Sequence, residues 1–204
     1  MTDLAGNAVA ARAALDRAEV ARATVVGHSL GAAVAAWLAC TQPERVGRLV
    51  LVAPAANTDS LGTVDHLLAA PVIGWLASIG AMAGGGLVLG ARPLRRWVAE
   101  ATALDDRYLR TARRMLLTPT AWCSFVREQR FLVRDLPVLE RRLGSIEAPT
   151  TIVAGSGDHV VPIAAAQRLT SRIPGAELVV LEHAGHLLHV QHAHRLAEII
   201  AAPG

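Results

Sequence analysis

The sequence predicts an α/β fold in which a parallel sheet is interrupted by a helical insertion. An apolar run over residues 24–26, an Ala-rich segment over 29–40 and a second apolar run over 48–53 have the spacing of one strand–helix–strand unit. Apolar runs without polar alternation are typical of parallel strands that are buried on both faces. Strands and helices alternate again after residue 148, whereas the segment in between has helical character.

The predicted core consists of residues 1–53 and 149–204, and residues 54–148 form an inserted helical cap. The chain has 204 residues, which is enough for one sizeable core, and a hydrophobic content of 52% excludes a disordered chain. Beyond the strand–helix–strand unit, helices are predicted over 4–17, 164–173 and 187–201, and strands over 149–155 and 177–181.

The predicted cap divides into an uncharged segment and a basic segment. Residues 67–89 carry no charged side chain, but Pro71 and the glycine triplet at 84–86 argue against one continuous membrane-spanning helix. We therefore predict short apolar helices joined at the triplet, which acts as a hinge. Residues 92–142 hold 12 Arg against 6 acidic residues, a balance that forms either a solvated face or a peripheral contact with an anionic membrane.

Composition also bears on other partners. The net charge of +3, an aromatic content of 3% and the lack of a recognition motif argue against nucleic acid as a partner. Charged residues recur through the first 22 positions and leave no signal-peptide core, which favours a cytoplasmic protein. His183, His186, His189 and His192 recur at every third position, but Gly185 should break a helix that carried them. We therefore expect no metal and no cofactor.

Residues 25–32 read Val-Val-Gly-His-Ser-Leu-Gly-Ala, so a β-branched run passes through Gly-x-Ser-x-Gly into an apolar helix. This pattern is typical of a nucleophile elbow, a strained strand-to-helix turn that exposes a serine. Gly27 and Gly31 are expected to be glycine because the adjoining strand and helix leave no room for a side chain. Ser29 then lies at a helix N-terminus, where the backbone N–H of Leu30 can stabilise an oxyanion.

A serine hydroxyl becomes a good nucleophile only beside an imidazole that takes its proton, and a carboxylate must fix the tautomer of that imidazole. Asp158 and His186 each follow directly after a predicted strand, where open α/β sheets carry their catalysts. The chain order is Ser29, Asp158, His186. Asp59, which follows an earlier strand, is the alternative acid, and His28 is expected to pack near the oxyanion region rather than to react.

Four stretches together resemble the α/β-hydrolase superfamily, in the branch with a helical cap and a serine nucleophile. They are the elbow at 26–31, Pro-Glu-Arg-Val at 43–46 leading into the run 49–52, Gly-Ser-Gly-Asp-His-Val-Val-Pro at 155–162, and Gly185-His186. The resemblance implies that Ser29 is the nucleophile, Asp158 the acid, His186 the base and Leu30 an oxyanion donor. It implies the C-terminal half of the family's sheet, because nothing here corresponds to the family's earlier strands.

Two functions follow as hypotheses. The first is a serine hydrolase that cleaves an ester or related acyl substrate through an acyl-enzyme, with an apolar substrate portion favoured by the aromatic residues of the cap. The second is a catalytically impaired chain that acts as a binding module at a membrane or partner surface. A truncated chain or a late start codon is expected to explain the missing strands. Residues 24–26 then form an uncovered edge of a four-strand sheet, which favours self-association.

Overall fold

Four parallel strands form one sheet in the computed structural model, which describes residues 3–102 and 104–202 of the chain. The strands are β1 (Ala23–His28), β2 (Val46–Val52), β3 (Thr150–Gly155) and β4 (Glu177–Leu181). Their order across the sheet is their order in the chain, and each neighbouring pair is parallel. The predicted α/β fold with a parallel sheet is confirmed.

The α-helices of the described residues are, in chain order, α1 (Leu4–Arg17), α2 (Leu30–Thr41), α3 (Thr63–Ala69), α4 (Val72–Val88), α5 (Arg92–Thr102), α6 (Asp106–Leu116), α7 (Pro119–Glu140), α8 (Ile163–Arg172), α9 (Leu188–Gln191) and α10 (Ala193–Ala201). The single helix predicted over 187–201 is therefore wrong. It is interrupted at His192, whose backbone angles of φ −128° and ψ 36° lie outside the helical region.

The described chain divides into two compact units. We call Thr63–Arg130 the helical unit and the remainder, which contains all four strands, the sheet unit. The cap predicted over 54–148 is longer than this helical unit at both ends. At the first end, Asn57 is fully buried and donates a side-chain hydrogen bond of 2.9 Å to the Ala165 carbonyl in α8. This contact ties the residues that follow β2 to the sheet unit.

At the second end, the latter part of α7 also belongs to the sheet unit. Its apolar side chains Phe131, Leu132, Leu136 and Leu139 are buried in the main core cluster, together with residues of α1 and α2. The Asp135 carboxylate accepts a hydrogen bond of 3.1 Å from the first backbone N–H of α1. These contacts join positions far apart in the chain, 131 positions for Leu4 and Asp135, so local sequence patterns do not show them.

The sheet unit has apolar clusters that involve both faces of the sheet. Every residue of β3 is buried, as expected for a central parallel strand. β1 forms one edge of the described sheet and alternates between exposed and less exposed residues, and Val26 there is 43% exposed. An apolar edge strand of this kind is what the sequence predicted for residues 24–26.

The glycine triplet of the helical unit is not a hinge, which corrects the sequence prediction. Residues 84–86 lie inside the continuous helix α4, and the break in this segment comes earlier, between α3 and α4. A Cβ added at Gly86 would lie 2.7 Å from Leu117 Cδ2. Gly86 therefore permits a close approach of Leu117 rather than a bend.

The helices α3 and α4 meet at an angle of 110° and expose apolar side chains around the bend. Six of these side chains are at least 44% exposed: Val64, Leu67, Val72, Ile73, Trp75 and Leu76. Within the described residues, a single helix with the length and apolar composition of a membrane span is not found, although α3 and α4 together meet that test as a bent pair.

Candidate active site

Ser29 is the one residue between the end of β1 and the start of α2. Its φ of 53° and ψ of −119° are strained for a residue with a side chain. This conformation is held by β2 and the residues that follow it, because the Ser29 N–H donates to the Val52 carbonyl at 2.9 Å and the Ser29 carbonyl accepts from the Ala55 N–H at 3.2 Å. The turn therefore presents the serine side chain at the carboxyl end of the sheet.

The two glycines of the motif differ in their surroundings. A Cβ added at Gly27 would overlap the Gly31 carbonyl and lie 2.6 Å from Ala32 Cα, which explains why β1 and α2 can adjoin so closely. A Cβ added at Gly31 meets no described atom within 4 Å apart from its chain neighbours and the backbone of its own helix. The expectation that both glycines are sterically required is therefore right for Gly27 and wrong for Gly31.

Two hydrogen bonds connect a serine, a histidine and an aspartate. Ser29 Oγ lies 3.0 Å from His186 Nε2, and His186 Nδ1 lies 2.8 Å from Asp158 Oδ2. A carboxylate only accepts, so Nδ1 carries the proton of a neutral imidazole and Nε2 is free to accept from the serine hydroxyl. The structure thus brings together the three residues that the sequence singled out.

Two neighbouring strands position the acid and the histidine. Asp158 follows β3 and His186 follows β4. Because these strands are parallel, both loops start at the carboxyl end of the sheet. The loops touch through backbone: a Cβ at Gly155 would lie 2.8 Å from the Ala184 carbonyl carbon, and Gly157 donates to the Ala184 carbonyl at 3.0 Å. Close contact between these loops sets the distance between Asp158 and His186.

The surroundings of Asp158 favour its ionised form. Burial acts to raise the pKa of this carboxyl, but hydrogen bonds from His186 and from the Val161 and Val160 N–H groups, together with the charge of His186, outweigh burial and lower the pKa below its ordinary value. The two backbone N–H groups bond Oδ1 at 3.0 and 2.8 Å. One carboxylate oxygen is thereby fixed by the backbone and the other is aimed at His186.

Asp59, the alternative acid, is engaged elsewhere in the sheet unit. Its carboxylate forms an ion pair of 2.7 Å with Arg168 of α8. Leu30, the candidate oxyanion donor, is the first residue of α2. Its backbone N–H lies at the end of a helix, where the first N–H groups have no intrahelical acceptor and the helix dipole attracts negative charge.

Sequence reasoning missed the contact that His28 makes. Its Nε2 lies 2.8 Å from the backbone oxygen of His186, and its ring centroid lies 4.5 Å from that of His189. The available signal was the position of His28 directly before the serine. Two of the histidines that recur at every third position, His183 and His192, lie outside the helices. Among the described residues, no three or more His, Cys, Asp or Glu side chains are grouped so that they could hold a metal ion.

Sequence comparisons place these features among known proteins. A sequence model described as the alpha/beta hydrolase family matches residues 2–199. The chain is 29% identical over 197 residues to 2-hydroxy-6-oxononadienedioate/2-hydroxy-6-oxononatrienedioate hydrolase 2 of Pseudomonas putida, a match that covers 92% of this chain and 64% of the relative. It is 27% identical over 192 residues to 2-hydroxymuconate semialdehyde hydrolase of Pseudomonas putida, covering 91% and 63%. The chain thus spans less than two thirds of the length of these relatives.

Solved structures give a similar result. A crystal structure of a hydrolase from Pseudomonas aeruginosa matches with a TM-score of 0.71 and 28% identity, over 98% of this chain and 72% of that chain. An enzyme described as degrading N-acyl homoserine lactones matches with a TM-score of 0.69 and 25% identity, over 98% of this chain and 74% of that chain.

Proposed function

This chain belongs to the alpha/beta hydrolase family, and we propose that it is a serine hydrolase in which Ser29, His186 and Asp158 act on an ester or related acyl substrate. The observation that carries the proposal is the pair of hydrogen bonds, 3.0 and 2.8 Å long, that runs from the serine through the imidazole to the carboxylate. This is the arrangement that activates a serine in unrelated hydrolases. The strained elbow at Ser29 further supports it.

In the proposed first step, Ser29 Oγ attacks the substrate carbonyl carbon while its proton moves to His186 Nε2. The imidazole then carries a proton on both nitrogens, and the ionised Asp158 stabilises that cation. The carbonyl electron pair moves to oxygen. The N–H of Leu30 stabilises this oxyanion at the start of α2.

In the second step, the tetrahedral intermediate collapses and the bond to the leaving group breaks. His186 gives its Nε2 proton to the leaving group, and the acyl group remains on Ser29 Oγ. Water then attacks the acyl carbon, with His186 taking a proton from it. The bond between the acyl carbon and Ser29 Oγ then breaks, His186 returns its Nε2 proton to Oγ and the acid product leaves. One water is thereby consumed for each bond cleaved.

The relatives favour a second substrate class for the same residues. A 2-hydroxy-6-oxononadienedioate contains a ketone and two carboxylates but no ester, so its hydrolysis must break a carbon–carbon bond beside the ketone. Serine attack on that ketone follows the same course, except that the leaving group is a carbon atom that accepts the proton. We propose a carbonyl carbon as the electrophile that both substrate classes share. For the ester class, the aromatic residues of the predicted cap favour an apolar group attached to that carbon.

The test is steady-state hydrolysis of a short-chain and a medium-chain p-nitrophenyl ester and of a 2-hydroxy-6-oxo dienoate by the 204-residue chain. We expect turnover that Ser29→Ala lowers at least about 10³-fold, with the medium-chain ester preferred over the short one. Equal turnover by the Ser29→Ala variant, or no turnover of any of these compounds, would contradict the proposal.

A second candidate function is docking of the helical unit on an anionic bilayer, and the observation that favours it is the exposed apolar bend between α3 and α4. Val72 and Ile73 there are 70% and 64% exposed. Arg130 donates a hydrogen bond of 2.7 Å to the Pro71 carbonyl, which puts a cation beside these apolar side chains. Apolar side chains next to a cation suit the boundary between acyl chains and anionic headgroups.

Sedimentation with phosphatidylcholine vesicles, with and without phosphatidylglycerol, tests this docking. We expect binding to anionic vesicles that added salt weakens, and that Ile73→Ser reduces several-fold. Leu87→Ser, at a side chain 69% exposed near the other end of α4, is the matched control and should bind like the parent chain. Equal binding to both vesicle types, or equal loss in both variants, would refute docking through the bend.

A further inference from the structure

We propose that His28 is a positioning residue that holds the backbone of His186 and thereby keeps the His186 imidazole in reach of Ser29. The inference rests on the proposed function and adds a residue to it. His28 is the last residue of β1 and directly precedes Ser29 in the chain. Its Nε2 lies 2.8 Å from the backbone oxygen of His186, which is 158 positions away.

The chemistry of this contact sets its direction. A carbonyl oxygen only accepts, so His28 Nε2 must carry a hydrogen and donate it. Burial lowers the pKa of His28, and the charges of His186 and His189 act in the same direction, whereas the bond to the His186 oxygen and the charge of Asp158 oppose the shift. Since the pKa is lowered, His28 is neutral near pH 7. It is then the tautomer with the proton on Nε2.

The ring of His28 is also held by packing. Its centroid lies 5.0 Å from the His186 ring and 4.5 Å from the His189 ring, with interplanar angles of 50° and 59°. His189 belongs to α9, which is anchored by the fully buried Leu188. The His28 ring therefore has little freedom to turn away from the carbonyl that it bonds.

The loop that carries His186 is also bonded to other elements. The Gly185 N–H donates to Gln191 Oε1 of α9 at 3.3 Å, and two further bonds lead to the residues after β3. Gly157 donates to the Ala184 carbonyl, and the His183 N–H donates to Ser156 Oγ at 2.8 Å. These two bonds fix the loop to the residues after β3, where Asp158 lies. The bond from His28 fixes it instead to β1, the strand that leads into Ser29.

The last residue of β1 and the residue that follows it therefore contact the two ends of the same histidine. Ser29 meets the His186 side chain at Nε2, and His28 meets the His186 backbone at its carbonyl. A small displacement between a base and a nucleophile lowers the rate steeply, by about 10²-fold for 1 Å. Loss of the hydrogen bond from His28 to the His186 carbonyl should therefore slow the chemical step without changing substrate binding.

The test compares two variants of similar side-chain length. His28→Gln keeps an N–H donor near the position of Nε2, whereas His28→Met fills the space without a donor. We expect His28→Met to lower kcat about 10- to 100-fold with KM within about 2-fold, and His28→Gln to recover most of that loss. The rate at which a fluorophosphonate labels Ser29 should fall by the same factor as kcat.

Amide hydrogen exchange supplies a readout that does not depend on activity. His28→Met should speed exchange at the N–H groups of residues 185–187, and His28→Gln should not. Histidine ¹⁵N spectra of the parent chain should show a proton on His28 Nε2. If the parent chain is inactive but gives these exchange and tautomer results, the proposed function is refuted. The hydrogen bond from His28 to the His186 backbone is then still supported. An active parent chain whose His28→Met variant keeps full kcat and unchanged exchange would overturn the inference, as would equal defects in both variants.

Discussion

The sheet unit and the helical unit use apolar side chains in different ways. In the sheet unit, Leu49 of β2, Ile152 of β3 and Leu169 of α8 are 0% exposed and belong to one apolar core cluster. In the helical unit, Val72 of α4 and Trp97 of α5 are 70% and 67% exposed. Val72 is exposed even though α4 carries no charged side chain. High hydrophobicity along the chain therefore indicates a core in one unit and a surface in the other.

The two units also differ in how they affect the pKa of a carboxyl group, as Asp158 and Glu128 show. Asp158 in the sheet unit has hydrogen-bond donors on both oxygens, and these donors lower its pKa despite burial. Glu128 in the helical unit is partly buried, and burial raises its pKa. A buried charge that is stabilised by several donors is typical of a functional site, so this difference supports the proposed location of the chemistry in the sheet unit.

Exchanging the acid tests this assignment with the largest expected effect. Asp158→Asn should lower kcat by about 10⁴-fold, because an amide at this position favours the wrong imidazole tautomer, as it does in a serine protease. Asp59→Asn removes an ion pair with a half-exposed arginine and should change kcat by less than about 5-fold. Steady-state kinetics of both variants provide the measurement, and the reverse ranking would make Asp59 the acid.

A second prediction concerns the two glycines of the elbow. Gly27→Ala forces a Cβ into the backbone of α2 and should cost at least about 4 kcal/mol of unfolding free energy. Gly31→Ala adds a methyl group to open space within a helix and should stabilise the fold by about 0.5 to 1 kcal/mol. Urea unfolding distinguishes the two, and similar losses in both variants would contradict the difference in packing.

One leucine in each unit tests the contrast in burial directly. Leu169→Ala in α8 removes a side chain that is 0% exposed and should cost about 2 to 5 kcal/mol. Leu76→Ala in α4 changes a side chain that is 59% exposed and should alter stability by no more than about 0.5 kcal/mol. A large loss on Leu76→Ala would mean that the bend is covered by other protein in solution.

The two carboxyl groups predict opposite pH dependences of stability. Because folding lowers the pKa of Asp158, the unfolded chain takes up the proton first, and the stabilisation present above about pH 4 is lost as pH falls through the folded pKa. Because folding raises the pKa of Glu128, stability falls as pH rises from about 4 through its folded pKa.

Near pH 7, Asp158→Asn should therefore lower the unfolding free energy and Glu128→Gln should raise it. Both differences should shrink in acid, below the ordinary pKa values of the two groups. Urea unfolding at neutral and acidic pH measures them. The same sign for both variants would show that the carboxyl groups do not differ in the way described.

Much of the sheet unit was predictable because each of its features leaves a local signal. Continuous apolar runs located β2 and β3, and the residues after strand ends gave Asp158 and His186. The structure brings these residues to Ser29, while their catalytic roles stay predictions.

What the sequence did not predict depends on contacts between distant positions. The glycine triplet looks like a hinge in isolation, but Gly86 is needed where Leu117 packs against α4. The cap predicted over 54–148 is longer than the helical unit because Leu136 and Leu139 of α7 fill the core beside α1 and α2. The Gly31 environment and the bond from His28 to His186 likewise depend on the folded chain.

The most direct test of the central claim is covalent labelling of the chain by a fluorophosphonate, followed by peptide mass spectrometry. A serine activated by His186 reacts with this reagent, whereas ordinary hydroxyls do not. We predict one phosphonylated residue, Ser29, and a labelling rate that His186→Gln lowers at least about 10³-fold. A parent chain that stays unlabelled while a known serine esterase reacts, or that is labelled equally at other serines, would contradict the account.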